Sequence, residues 1–193
     1  MTDYWHLTNL DSVVSAAPLL SLNFVPSDCN APAITENTYL LLTGGRIPAP
    51  KGWGISVSIL QPGVLPDVYV CGNLIICRRT VGELLCERLP NSMQCLNLCG
   101  DLDGSWKDMV ALYIYNAVEA IDRKSAQIYG GGEISCNEVF GRPIPLKSSK
   151  LPKSPACFCV IENGYVVADT PAMMLMKECG IPNSYFYSDW LII

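Results

Sequence analysis

The sequence predicts an α+β fold: a mixed, mostly antiparallel sheet with a few short helices packed on it. Three observations predict it. Short β-branched and aromatic runs recur between glycine and proline turns along the 193 residues. The stretch "ACFCVIENGYVVAD" is a hairpin pattern, because Asn163–Gly164 suits a type I′ turn. The stretch "DTPAMMLMKECGIP" carries both the start and the stop of a helix.

Taken in order, "TDYWHLT" reads as an opening strand that contains His6, the only histidine. In "SAAPLLSLNFVPSDCNAPAIT", Pro18, Pro26 and Pro32 predict a mostly irregular course. "TYLLLTGG" reads as a strand ending in a glycine turn, and "GISVSILQPG" as another short strand. Two prolines in "QPGVLPD" put the softest boundary at residues 61–66. The expected organisation is one domain over 1–193, with an N-terminal β-rich lobe over 1–62 and a second lobe over 65–193. "PDVYVCGNLIIC" is strand with a turn at Gly72–Asn73. Thr80 and Glu83 form a capping box for a short helix that buries Leu84, Leu85 and Leu89 and ends at Pro90. "MQCLNLCG" is a strand, "GDLDGSW" a turn, and "DMVALYIY" an apolar strand. "YGGGEISCNEVFG" is a turn and strand.

The closing helix is capped by Asp169 or Thr170, and Pro171 suits its first position because that N–H has no partner anyway. Ala172, Met173, Leu175, Met176 and Cys179 form its apolar face. Lys177 complements the dipole, Gly180 can take the left-handed position after the end, and Pro182 prevents continuation. "NSYFYSDWLII" then returns to strand.

Composition bounds the rest. Half the residues are apolar and 16% are charged, so the chain is globular rather than disordered. No apolar run approaches the roughly 20 residues a bilayer span needs. "MTDYWHLTNLDSVV" carries an acid where a secretory leader carries basic residues, so a cytoplasmic location is expected. The ten cysteines then read as reduced thiols filling the core. They form no C-x-x-C pair, and the spacings Cys95/Cys99 and Cys157/Cys159 are poor for zinc. Neither metal nor cofactor is expected. The net charge is −5. Arg142, Lys147, Lys150 and Lys153 share one loop without an acid, which leaves the remaining chain more acidic still. An acidic body disfavours nucleic acid and favours a cationic partner. The basic loop itself reads as a solvated connection stiffened by proline.

Enzyme motifs do not assemble. His6 lies between Trp5 and Leu7 and reads as a structural imidazole, and no G-x-S-x-G elbow occurs. "GDLDGS" lacks the third ligand and the closing Glu of a calcium loop. "YGGGE" lacks the Lys and Ser/Thr of a phosphate loop. "EAIDRKS" gathers Glu119, Asp122, Arg123, Lys124 and Ser125, which read as a charged strand end or turn.

The order of "LPDVYVCGNLIICRRTVGELLCER", "YNAVEAIDRKS" and "VVADTPAMMLMKECGIPNSYFY" resembles a family of immunity proteins of bacterial polymorphic-toxin and type VI secretion systems, the eleventh such family. Its "V-x-A-I-D" segment is matched by Val118, Ala120, Ile121 and Asp122. Arg79 and Thr80 stand where the family has Ser before the first helix, and "IPNS" replaces a glycine-rich approach to the last strand. The likeness spans roughly residues 65–190. It implies a non-enzymatic protein that binds and inhibits a cognate toxin encoded by a neighbouring gene, protecting the producer and its siblings. The rival readings are a cryptic hydrolase-type enzyme and an adaptor module of a phage or secretion assembly. For a toxin-binding surface the candidates are Asp101 and Asp103, in a turn beside Trp106, with Glu133 after the glycine run. An aromatic among acids in an exposed loop has the make-up of an interface hot spot.

Overall fold

Met109–Ile114 is buried at every position, and that one strand explains the layering of the molecule. Its alternate side chains leave on opposite faces, and each face meets a different core. Val110, Leu112 and Ile114 pack into one cluster; Met109, Ala111 and Tyr113 pack into another with Phe24, Trp53 and Ile55. The computed structural model describes residues 3–9, 16–100, 102–122, 144–161, 164–188 and 190–192.

The strand belongs to a six-stranded sheet. In chain order its members are β2 (Leu19–Pro26), β3 (Trp53–Gln61), β4 (Val68–Cys71), β5 (Leu74–Arg78), β6 (Met93–Cys99) and β7 (Met109–Ile114). They lie side by side as β2-β3-β6-β7-β5-β4, antiparallel except where β3 meets β6. One sheet therefore runs across residues 61–66. The helix α1 (Glu36–Thr43) buries Leu42 in the cluster with Tyr113. The helix α2 (Arg79–Arg88) continues directly from β5 on the opposite face.

A second, five-stranded sheet faces that side. Its order is β12-β1-β11-β10-β8, built from β1 (Tyr4–Leu7), β8 (Ala117–Val118), β10 (Cys157–Val160), β11 (Tyr165–Asp169) and β12 (Phe186–Tyr187). Alternation decides its packing as well. Cys157, Cys159, Val166 and Ala168 point into the shared core, while Phe158, Val160 and Val167 join Ala120, Ile121 and Leu146 behind it. The helix α3 (Thr170–Glu178) supplies Met173 and Met176 to the shared core, where α2 supplies Leu85. A short parallel pair, β9 (Ile144–Leu146) and β13 (Trp190–Ile192), completes the described strands. Among the described residues no helix is long and apolar enough to cross a membrane.

The fold is α+β with mostly antiparallel sheets, as the alternating patterns predict. The closing helix forms as expected. The Asp169 carboxylate accepts from the Ala172 N–H at 2.8 Å, Pro171 occupies the first turn, and Gly180 takes φ +109°. Its face is rotated slightly from the predicted one: Ala172, Met173, Met176 and Cys179 are buried, but Leu175 is half-buried. Gly72 turns the β4–β5 hairpin at φ +56°, as its position in the sequence suggests.

Four expectations change. Residues 19–26 form a strand, because Pro18 and Pro26 stand at its ends, where no ladder N–H is needed. "TYLLLTGG" is helical: Thr35 caps it by accepting from the Thr38 N–H at 3.2 Å, and only Leu42 is fully buried. The capping box at Thr80 does not form. The helix begins two residues earlier, with Arg78 at the cap position straight out of β5, and the Arg79 N–H is satisfied by the Asp108 carbonyl at 2.6 Å. Glu83 instead faces Arg79 at 3.7 Å, and Leu84 lies exposed. The tail turns once as a short 3-10 segment, Asn183–Tyr185, before pairing as β12. Asn163 and the glycine-rich stretch 130–132 with the strand expected after it lie outside the described residues.

Candidate functional site

The turn that carries Asp103 and Trp106 is held by its own carboxylate. Asp103 Oδ1 accepts from the Ser105 N–H at 2.8 Å and from the Ser105 hydroxyl, which starts the 3-10 turn Gly104–Trp106. Those two bonds favour the charged form, the hydroxyl most, and hold the Asp103 carboxyl below its usual range. Asp103 stays exposed, whereas Trp106 turns inward to pack with the cluster around Trp53 and Met109. Trp106 is therefore a core residue and not the exposed anchor that the sequence suggested. The reason is the hydrophobic effect: the large apolar indole gains more by joining that cluster, where it is 4% exposed, than by facing water. Asp101 and Glu133 lie outside the described residues.

His6 is buried in β1, stacked between Tyr165 at 5.3 Å and Tyr187 at 5.8 Å between ring centres. This is the structural role its apolar neighbours predict. From the "EAIDRKS" segment, Glu119 is exposed and Asp122 meets Lys147 at 3.7 Å. Arg123, Lys124 and Ser125 lie outside the described residues.

The thiols divide by depth. Cys77, Cys157, Cys159 and Cys179 are buried, Cys71, Cys86, Cys95 and Cys99 are half-buried, and Cys29 is exposed; all are free. Core filling thus holds for four of the nine cysteines among the described residues, which do not include Cys136, and Cys29 departs from it outright. Burial pushes Cys77 up to about 12 and Cys159 up to about 11, so both stay protonated at neutral pH. The half-buried pair Cys86 and Cys95 shares a hydrogen bond, which lowers Cys95 with help from the Arg79 charge and, together with burial, raises Cys86. No group of three or more His, Cys, Asp or Glu among the described residues could hold a metal ion.

A concavity lies elsewhere among the described residues. A cleft of about 390 Å³ opens where the α2–β6 turn approaches the segment leading into β10. Arg88, Asn91 and Ser92 come from the first wall, Lys153 and Ser154 from the second, and Asn116 from the end of β7. Two hydrogen bonds fix the walls relative to each other. The Cys157 N–H donates to Ser92 Oγ at 3.2 Å, and the Tyr115 N–H donates to the Ser92 carbonyl at 3.3 Å. The Tyr115 hydroxyl donates to the Pro90 carbonyl at 2.6 Å and holds the turn from its other side. Pro90, Pro152 and Pro155 stiffen the rim.

The electrostatics of this cleft run against those of the whole chain. It is lined by two cations and no acid. Arg88 reaches Glu178 at 3.4 Å, but both side chains are about half exposed and water weakens the pair. The side chains of Asn91, Asn116, Lys153 and Ser154 make no hydrogen bond or ion pair among the described residues. Sequence reading missed this site because its walls come from "RLPNS" and "KLPKSP", more than sixty residues apart in the sequence. The only trace in the sequence is the basic loop that holds Lys153, which by itself reads as a solvated connection.

No protein-family model matches the chain, and no curated protein matches it in sequence.

Proposed function

We propose that this protein is an immunity protein that binds a cognate bacterial toxin and inhibits it by occupying its working surface. The observation that carries the reading is how the segments of the resemblance pack. Val68 and Ile75 of the β4–β5 hairpin, Leu85 of α2, Val166 and Ala168 of β11, and Met176 of α3 meet in one core. Ala120 and Ile121, from the "V-x-A-I-D" stretch, pack behind the second sheet. The matched residues are thus scaffold, and they leave loops and outer faces to a partner.

Charge supplies the second support. Asp169 is the only buried acid among the described residues. Glu83 and Glu87 on α2, Glu178 on α3, and Asp67, Asp103, Asp108 and Glu119 in strands or turns are exposed. An acidic exterior steers a cationic partner, raising association above the ~10⁵–10⁶ per molar per second of neutral pairs and losing the gain in salt.

The test is co-expression with the product of the adjacent gene. Restored growth together with a one-to-one complex supports the reading. A neighbour that is harmless alone and forms no complex sinks it.

A further inference from the structure

We propose that the cleft between the α2–β6 turn and residues 152–156 receives an extended acidic segment of a protein partner. The inference rests on the proposed binding function only for who the partner is; the chemistry of the occupant comes from the cleft.

Four polar side chains face one concavity without partners of their own among the described residues: Asn91, Asn116, Lys153 and Ser154. Polar groups collected in a cleft are what orients a ligand there. The two amides distinguish peptide from a bare anion. Each offers a donor and an acceptor, which matches the alternating C=O and N–H of an extended backbone, whereas a bare anion uses donors only. Arg88 and Lys153 stand on opposite walls, so two acidic side chains of one segment can each meet a cation. The partial negative charge at the C-terminal end of α2 opposes an anion here, but it is about half a charge against two full ones. Glu178 completes the argument: it is the acid that currently partners Arg88, through a solvent-weakened contact that a better-placed carboxylate can displace.

The rim favours this occupant as well. Pro90, Pro152 and Pro155 fix the backbone on both sides, and Ser92 ties the walls together through Cys157. A site that is already shaped loses little freedom on binding, which suits a short linear segment.

The test is nuclear magnetic resonance of isotope-labelled protein, reading the side-chain amide signals of Asn91 and Asn116. Three probes are added to millimolar concentration: acetyl-Gly-Asp-Glu-Asp-Gly-amide, its Asn-Gln-Asn counterpart, and inorganic phosphate. The acidic peptide should shift both amides saturably and bind about tenfold or more tightly than the neutral one. The double variant Arg88→Ala/Lys153→Ala should abolish the shifts, and Glu178→Gln should tighten binding about two- to fivefold by freeing Arg88. If the double variant does not fold, the single variant Lys153→Ala, at an exposed position, should still weaken the binding read through both amides. No shift, equal shifts from the neutral peptide, or phosphate binding as tightly as the acidic peptide would each overturn the proposal. Failure here leaves the co-expression result standing. Failure of co-expression leaves a saturable peptide titration equally intact.

Discussion

Replacing Met176 with alanine removes three heavy atoms from a site that is fully shut off from solvent. At about 0.8 kcal/mol per methylene-sized group, the transfer loss is ~2 kcal/mol. The side chain belongs to the buried cluster that also holds Leu85, Val166 and Ala168, so the void is apolar and adds a cavity cost, for a total of about 3–4 kcal/mol. Leu175→Ala also removes three carbons, but Leu175 is half-buried at the edge of the same cluster. Roughly half the transfer loss applies and the space opens to solvent, so the cost is about 1 kcal/mol. Urea unfolding with unchanged slopes measures both. In thermal melts the Met176 variant should lose about 6–16 °C and the Leu175 variant about 2–4 °C. A Leu175→Ala loss equal to or greater than that of Met176→Ala would refute the assigned face of α3 and the layering built on it.

Three further outcomes follow from the same structure. Tyr113→Phe should cost about 1–2 kcal/mol in urea unfolding, because the buried hydroxyl lies 2.5 Å from the Leu42 carbonyl and 2.7 Å from that of Ile47. The Asn9 side chain both donates to the Val70 carbonyl and accepts from the Val70 N–H, at 2.7 Å each, so it fills the outer edge of β4 as a strand would. Asn9→Ala should bare that edge and promote self-association, seen as concentration-dependent light scattering. Alkaline pH should destabilise the fold through Cys77. Its folded value near 12 exceeds the ordinary value near 9, so the unfolded chain sheds the proton first. That stability is complete below pH 9 and drains away as pH rises toward about 12; Cys77→Ala should flatten the slope in that window.

Legibility in the sequence followed locality. The cap, proline and glycine of α3 act within a single helical turn of their neighbours, and their spacing alone gave the helix. β7 was equally plain, since a strand covered on both faces has no reason to alternate. The stretch "TYLLLTGG" departs from the expected strand because three leucines in a row fit either a buried strand or a helix, and only Thr35 upstream decides between them. Arg79 needed no side-chain cap, since a carbonyl from Asp108 across the sheet reached its N–H, and no local pattern reports such a partner. The candidate site failed for the same reason. Asp103 and Trp106 are three residues apart and looked like one surface, yet one faces water and the other the core. Arg88 and Lys153 look unrelated in sequence and share a cleft once the two sheets pack together and the Cys157 N–H reaches Ser92 Oγ.

β1 sits between β11 and β12, and its Trp5 indole donates to a hydroxyl on Thr170, 165 residues further along. β1 is therefore made well before either strand that flanks it. At about 5–20 residues per second, the wait between the two partners is roughly 8–30 s. During that time Tyr4–Leu7 is an aromatic, uncharged strand with both edges open, while the six-stranded sheet, whose strands all lie between residues 19 and 114, can already close. The topology thus favours an order of assembly in the cell: the larger sheet can form first, and the smaller one waits until β11 and β12 have been made.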